Sequence, residues 1–229
     1  MSPSRGTNRR LVAFGILSLT LFAAISILVS GDITQAFDAR LALLININEG
    51  SAFTSIMVLA SLYGREPFWI SAVVLMLALG KRDVKLLAIE LAALLAVGFV
   101  TGDLTKIIFD RPRPFDTVVG IITRVSPPID SSYPSGHALI VSMGASFAVI
   151  KFRRRIVTTL LTLEALVVSY SRVYVGVHYP LDVLAGVLLG VAITSLGLVA
   201  LEKLFAPHLQ AVATLLEKYS RALRLPEIF

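Results

Sequence analysis

Long apolar runs that end in clusters of basic residues are the feature that most constrains the fold of this chain. The first run, Leu11–Val29, has about 19 residues, enough to cross a bilayer as a helix. The chain is 56% hydrophobic and 16% charged and has a mean hydropathy of +0.82, outside the range of soluble domains. The sequence predicts an all-α membrane protein with six transmembrane helices. The other five spans are Pro67–Gly80, Leu86–Phe109, Pro134–Lys151, Ile156–Gly176 and Pro180–Leu201.

The segments between and after these runs predict interfacial helices. Gly31–Tyr63 has too many polar residues for a lipid-exposed span, so we expect one or two helices lying at the interface. Trp69 is predicted to anchor the second span at the same interface. Phe205–Phe229 is amphipathic and predicts an interfacial tail on the side of the amino terminus. Residues 1–229 are therefore expected to form a single membrane-embedded domain.

The distribution of basic residues predicts the orientation. Fourteen of the 21 lysines and arginines fall on one side if the spans are as predicted. The positive-inside rule predicts that both termini are cytoplasmic. We expect the protein to lie in the cell membrane. Because the basic residues are at span ends, the net charge of +6 does not indicate nucleic-acid binding. These fourteen are Arg5, Arg9, Arg10, Lys81, Arg82, Lys85, Lys151, Arg153, Arg154, Arg155, Lys203, Lys218, Arg221 and Arg224.

Three polar segments reach the opposite, extracytoplasmic face. The first runs from Lys106 to Pro114 and reads Lys-Ile-Ile-Phe-Asp-Arg-Pro-Arg-Pro. The second is Pro134–His137, Pro-Ser-Gly-His, at the start of the fourth span. The third, Tyr170–Asp182, joins the fifth and sixth spans and holds an arginine, a histidine and an aspartate. Since charge inside a membrane protein is costly, its concentration on one face predicts an active site there.

The residue types suit phosphoryl transfer. Lys106, Arg113 and Arg172 are expected to form a cationic clamp for a phosphate. The backbone N–H groups of the Pro-Ser-Gly-His segment are expected to point out of a helix start, with Gly136 allowing close approach and Ser135 adding a hydroxyl donor.

A histidine pair supplies the predicted chemistry. His178 precedes Asp182 by four residues, so the carboxylate can accept an imidazole N–H and leave the other ring nitrogen free to attack. His137 is expected to protonate the leaving oxygen and then to activate water. No cofactor is expected, because the cations already neutralise the phosphate and the three histidines form no metal-ligand pattern. Asp103, one turn before Lys106, is predicted to neutralise that lysine.

The joint pattern Lys-x6-Arg-Pro, Pro-Ser-Gly-His and Ser-Arg-x5-His-x3-Asp resembles the type 2 phosphatidic acid phosphatase superfamily. The resemblance covers Lys106 to Asp182 and implies a six-span helical fold with a phosphohistidine at His178, oriented by Asp182. It also implies His137 as the acid and a phosphate pocket of Lys106, Arg113, Ser135, Gly136 and Arg172. Arg111 repeats the Arg-Pro pair two residues early, and spacing assigns the family role to Arg113.

The predicted function is hydrolysis of a lipid phosphate or pyrophosphate. A polyprenyl pyrophosphate such as undecaprenyl or dolichyl pyrophosphate, phosphatidylglycerol phosphate and phosphatidic acid all remain open as substrates, and so does the oligomeric state. An alternative is a lipid-phosphate transporter or flippase that uses the same cations without chemistry, although binding alone does not need the His178–Asp182 pair. A haloperoxidase would need vanadate and does not suit a chain with membrane spans.

Overall fold

The computed structural model describes residues 5–31, 33–47, 50–152 and 154–223, and the regular structure in these residues is helical. The predicted all-α architecture is thereby confirmed. Ten α-helices and one π-helical turn are formed within the described residues. They are α1 (Arg5–Ser30), α2 (Gln35–Ile45), α3 (Ser51–Tyr63), α4 (Glu66–Leu79), α5 (Arg82–Phe109), α6 (Pro114–Thr117), α7 (Gly136–Lys151), α8 (Arg155–Tyr174), α9 (Pro180–Ala200), the π-helical turn Leu201–Phe205 and α10 (Ala206–Ala222).

Four helical segments among the described residues are long and apolar enough to cross a membrane, and a fifth forms if α3 and α4 count as one bent span. The four begin at α1, α5, α8 and α9. Helix α7 is apolar but has only 16 residues. The chain is a multi-pass membrane protein.

Helix α7 lies at the centre of the bundle, packed by α9, α8 and α5. Its apolar residues are buried on nearly every side, including Leu139, Ile140 and Met143. At Gly186 of α9, an added Cβ would collide with the carbonyl oxygen of Ser135 and lie 3.1 Å from Ala138 Cβ. The close contact of α7 with α9 therefore depends on a glycine.

Helices α3 and α4 are separated by a break at Gly64 and Arg65, and their axes differ by 56°. Two helices, α2 and α3, form between Gly31 and Tyr63, where one or two were predicted. The prediction for Trp69 is wrong, since this side chain is 3% exposed and its indole ring packs directly over Gly144 of α7. An apolar indole suits a helix interface as well as a membrane surface, so its position near a span end did not decide between them.

The two ends of the bundle carry different kinds of contact. At one end, Asn8 of α1 donates a hydrogen bond to Glu202 at 3.1 Å, and Arg82 of α5 donates one to Gln210 of α10 at 2.8 Å. The amino-terminal helix and α10 thus share an end, as predicted for the tail. Residues 224–229 of that predicted tail and Arg153 lie outside the described residues. The motif residues lie at the other end.

Candidate active site

Four helix ends and one long loop meet at the motif end of the bundle. Helix α5 ends three residues after Lys106, and α7 begins at Gly136, so their polar residues face the same region. Helix α8 ends two residues after Arg172, and α9 begins two residues after His178. The loop from Asp110 to Ser135 crosses this region and contains only the single helical turn α6. The structure therefore gathers the three predicted segments, which lie far apart in the sequence.

His178 is fully enclosed between a carboxylate and a cation. Its Nδ1 lies 3.5 Å from Asp182 Oδ2, and its Nε2 lies 3.4 Å from a terminal nitrogen of Arg113. Its backbone N–H donates to the carbonyl oxygen of Arg172 at 3.3 Å. The ring is held so that Nδ1 faces the carboxylate and Nε2 faces the cationic side of the site.

Asp182 is held more tightly by other groups than by His178. Its Oδ2 accepts from the Ser132 hydroxyl at 2.5 Å and from the Tyr179 N–H at 2.8 Å, the second bond being part of a capping box at the start of α9. Its Oδ1 accepts from Arg111 at 2.5 Å. The distance to His178 is long for a hydrogen bond, so Ser132 and Arg111 fix a carboxylate that the sequence paired with His178 alone.

Arg111 joins Asp182 to Asp38, a residue that sequence reasoning did not assign to the site. The second terminal nitrogen of Arg111 lies 2.8 Å from Asp38 Oδ2, and Asp38 Oδ1 accepts the N–H of Leu181 at 3.0 Å. Both carboxylates are 0% exposed. We call Asp38, Arg111, Ser132 and Asp182 the inner cluster. The one signal for Asp38 in the sequence is a carboxylate among the apolar clusters of Gly31–Tyr63.

Lys106 and Arg113 share a second carboxylate, that of Asp130. Lys106 Nζ lies 2.7 Å from one oxygen and an Arg113 terminal nitrogen lies 2.7 Å from the other. The prediction that Asp103 neutralises Lys106 is wrong, because the loop brings Asp130 to it instead. Burial acts to raise the pKa of Asp130, but the two cations outweigh it and hold that pKa below its usual range. We call Lys106, Arg113 and Asp130 the outer cluster.

Ser61 of α3 connects Arg172 and His137. Arg172 donates a hydrogen bond to the Ser61 hydroxyl, and His137 Nε2 lies 3.0 Å from the Ser61 carbonyl oxygen. The Nε atom of Arg172 is buried and makes no hydrogen bond to the described residues. The residue as a whole is only 5% exposed. A buried donor without a protein partner is costly, and an anion in the site would satisfy it.

The Pro-Ser-Gly-His segment starts α7 as predicted, but its first N–H is already used. The Ser135 N–H donates to the carbonyl oxygen of Asp182 at 3.0 Å, and its hydroxyl accepts from the Ala138 N–H at 3.5 Å. The expectation that the Ser135 N–H faces a phosphate is therefore wrong. Above Gly136 lies the guanidinium group of Arg65, whose central carbon is 3.3 Å from where a Cβ of residue 136 would be.

Burial and the nearby positive charges keep the His178 imidazole uncharged at neutral pH. Burial and the positive charges of Arg113, Arg172 and Lys106 hold the pKa of His178 well below its usual range. A neutral imidazole with Nδ1 facing a carboxylate has its lone pair on Nε2, the nitrogen that faces the cations. Among the described residues, no group of three or more histidine, aspartate or glutamate side chains is arranged to hold a metal ion.

The chain is similar in sequence and in fold to several known proteins. Residues 86–205 match the PAP2 superfamily. An undecaprenyl-diphosphatase of Sulfolobus acidocaldarius is 42% identical over 185 residues, which cover 75% of this chain and 84% of that protein. A transmembrane PAP2-type phosphatidylglycerolphosphate phosphatase from Bacillus subtilis has the same fold, with a TM-score of 0.69 at 19% identity over 84% of this chain and 98% of that one. LpxE of Aquifex aeolicus gives a TM-score of 0.56 at 25% identity, covering 69% and 93% of the two chains.

Proposed function

Because the chain belongs to the PAP2 superfamily and is a membrane lipid phosphatase, we propose that it removes the terminal phosphate of a polyprenyl diphosphate through a phosphohistidine at His178. The observation that carries the proposal is the enclosure of His178, with Asp182 on one ring nitrogen and Arg113 beside the other. The similarity to an undecaprenyl-diphosphatase supports a diphosphate carried by a long isoprenoid.

In the first step, His178 Nε2 attacks the terminal phosphorus, and the bond between that phosphorus and the bridging oxygen breaks. Lys106, Arg113 and Arg172 hold the oxygens of the transferred phosphoryl group, whose charge they stabilise in a site that excludes most water. Asp182 stabilises the positive charge that appears on the imidazole. The substrate phosphate takes the place of the Asp130 carboxylate between Lys106 and Arg113.

His137 manages the proton of the leaving group. Its Nε2 donates to the Ser61 carbonyl oxygen. The negative charge of the bound diphosphate favours the imidazolium form of His137, and in that form Nδ1 carries the proton that goes to the departing lipid monophosphate. The same nitrogen then takes a proton from water as the water attacks the phosphohistidine. Inorganic phosphate leaves and His178 is regenerated.

The placement of the chain in the membrane is part of the proposal. We take α1, the bent pair α3–α4, α5, α7, α8 and α9 as six spans of one domain covering residues 1–229. Helix α7 is about 24 Å long, shorter than the hydrocarbon core of about 30 Å. We therefore count the buried residues just before Gly136 as part of this span. The excess of basic residues at the end opposite the site supports cytoplasmic termini and an extracytoplasmic active site.

The test is phosphate release from a purified sample in detergent micelles. We expect release from a polyprenyl diphosphate that persists in EDTA and is lost in His178→Ala. Substrate labelled on its terminal phosphate should label the wild-type chain transiently in an acid-labile form, and should not label His178→Ala. Full activity in that variant would refute the assignment.

A matched substrate panel separates the alternatives. Polyprenyl diphosphate, polyprenyl phosphate, phosphatidylglycerol phosphate and phosphatidic acid are compared at equal mole fraction in the micelle. We expect the highest kcat/KM for the diphosphate. Movement of labelled lipid across a vesicle bilayer without phosphate release would instead favour a transporter that uses the same cations.

A further inference from the structure

Arg65 is a fourth cation at the site, delivered from outside the three motif segments. It lies at the break between α3 and α4, where its backbone is not helical and precedes the first turn of α4. Its two terminal nitrogens are 3.3 and 3.4 Å from where a Cβ of residue 136 would be. A side chain at Gly136 would therefore displace the guanidinium group, and the start of α7 and Arg65 form one surface.

The terminal nitrogens of Arg65 are available to a ligand. Its Nε lies 3.1 Å from the Glu66 carboxylate, and the guanidinium group lies 5.1 Å from the centre of the Phe99 ring. In the part of the chain that the structure describes, neither terminal nitrogen donates a hydrogen bond to protein. The side chain is 19% exposed, so its fork of donors is mostly buried but still reached by solvent.

The position of Arg65 relates it to the leaving group. Its guanidinium group lies over Gly136, and the next residue in the chain is His137. Its positive charge acts on His137, Arg172 and Lys106. His137 is the proposed proton donor to the leaving oxygen. Arg65 thus lies on the side of the site where the leaving group departs, whereas Arg113 lies beside the attacking Nε2 of His178.

The number of cations exceeds what a phosphate monoester requires. Lys106, Arg113 and Arg172 already surround one phosphoryl group, and adding a fourth cation there would repel the others. The nearby carboxylates of Asp130 and Glu66 are 52% and 43% exposed, so both can turn into solvent when an anion enters. A diphosphate brings a second set of charged oxygens on the leaving side, and a guanidinium group binds such oxygens through two parallel hydrogen bonds.

We propose that Arg65 binds the inner phosphate of a diphosphate substrate, the one that stays on the lipid, and so makes the site selective for diphosphates over phosphate monoesters. The inference rests on the proposed function and adds its substrate class. When the bond to the terminal phosphorus breaks, the bridging oxygen and its electron pair remain with the inner phosphate. Arg65 stabilises that growing charge while His137 supplies the proton. A monoester has a carbon-bound oxygen at this place and gives Arg65 no partner.

The experiment compares two substrates with the same C15 chain, farnesyl diphosphate and farnesyl phosphate, for wild type, Arg65→Gln and Arg65→Lys. We expect Arg65→Gln to lower kcat/KM for the diphosphate by about 100-fold, the usual cost of losing one transition-state donor. The monophosphate value should fall much less, so that the ratio of the two drops at least tenfold. Arg65→Lys should recover part of the ratio. The control is Arg40→Gln, an exposed arginine of α2, which should not change the ratio.

Two results would overturn the inference. One is an equal loss on both substrates, which would assign Arg65 a structural role only. The other is an unchanged kcat/KM for both substrates in Arg65→Gln and Arg65→Lys. Monophosphate hydrolysis by the wild type that His178→Ala abolishes would leave the phosphatase assignment standing in either case. If Arg65→Gln does not fold, as judged by its unfolding temperature in detergent, the ratio measured for Arg65→Lys decides.

Discussion

The inner and outer clusters both pair arginine or lysine with aspartate, but water reaches them differently. In the inner cluster, the Asp38 and Asp182 carboxylates are 0% exposed and are joined by Arg111. In the outer cluster, half of the Asp130 side chain is open to solvent. A buried carboxylate that loses its cation has no water to replace it, whereas an exposed one does. The inner cluster is therefore a fixed support for His178, and the outer cluster can exchange its carboxylate for a substrate phosphate.

Removing Arg111 gives the largest expected effect. In Arg111→Gln two buried carboxylates lose their shared cation, and breaking such a pair costs about 3–5 kcal/mol of the free energy of unfolding. Phosphate release should fall as well, because Asp182 is no longer fixed beside His178. Chemical unfolding in detergent measures the first effect, with Arg40→Gln as the control. A variant as stable as wild type would contradict the distinction between the two clusters.

Removing the carboxylate of the outer cluster should change binding rather than stability. In Asp130→Asn the cations Lys106 and Arg113 no longer have an internal competitor, so inorganic phosphate should inhibit about tenfold more strongly. The free energy of unfolding should change less than in Arg111→Gln, because water already reaches the Asp130 end of these pairs although Lys106 and Arg113 are buried. The inhibition constant of phosphate measures the first quantity, and the exposed Asp116 of α6, changed to asparagine, is the control. Weaker inhibition would show that Asp130 assists binding.

The smallest expected effect is a shift in pH dependence. The proposed nucleophile, His178, must be neutral to attack, and burial and nearby cations keep its pKa low enough for that at neutral pH. Lys106→Gln removes one positive neighbour, which makes the imidazolium less unfavourable and raises this pKa. The acid limb of kcat/KM should therefore move to higher pH. Dividing the variant profile by the wild-type profile cancels the ionisation of the substrate, and a ratio that does not fall toward acid pH would argue against this coupling.

The motif residues could be predicted because their spacing encodes their chemistry. Lys106, Arg113, His178 and Asp182 are brought to one end of the bundle because each lies near the end of an apolar run, and span ends can be read from hydropathy. The approximate bounds of the long helices could be predicted for the same reason, because they coincide with the ends of apolar runs.

The supporting residues could not be predicted, because their roles depend on how each helix is rotated. Asp38, Ser61 and Asp130 contact site residues that are 17 to 111 positions away only because particular helix faces and one loop turn toward the site. The same limit explains Trp69, since lipid and a helix interface are equally apolar and hydropathy does not distinguish the two surroundings.

The bend at Gly64 has a mechanical consequence. Ser61, which holds both Arg172 and His137, lies three residues before it, and Arg65 follows it directly. An added Cβ at Gly64 would collide with Val168 of α8, so the angle is fixed by contact with the helix that carries Arg172. A substitution that changes this angle therefore moves Ser61, the hydrogen-bond partner of Arg172 and His137, together with Arg65. One bend thus sets the positions of groups proposed to act in turnover and in substrate choice.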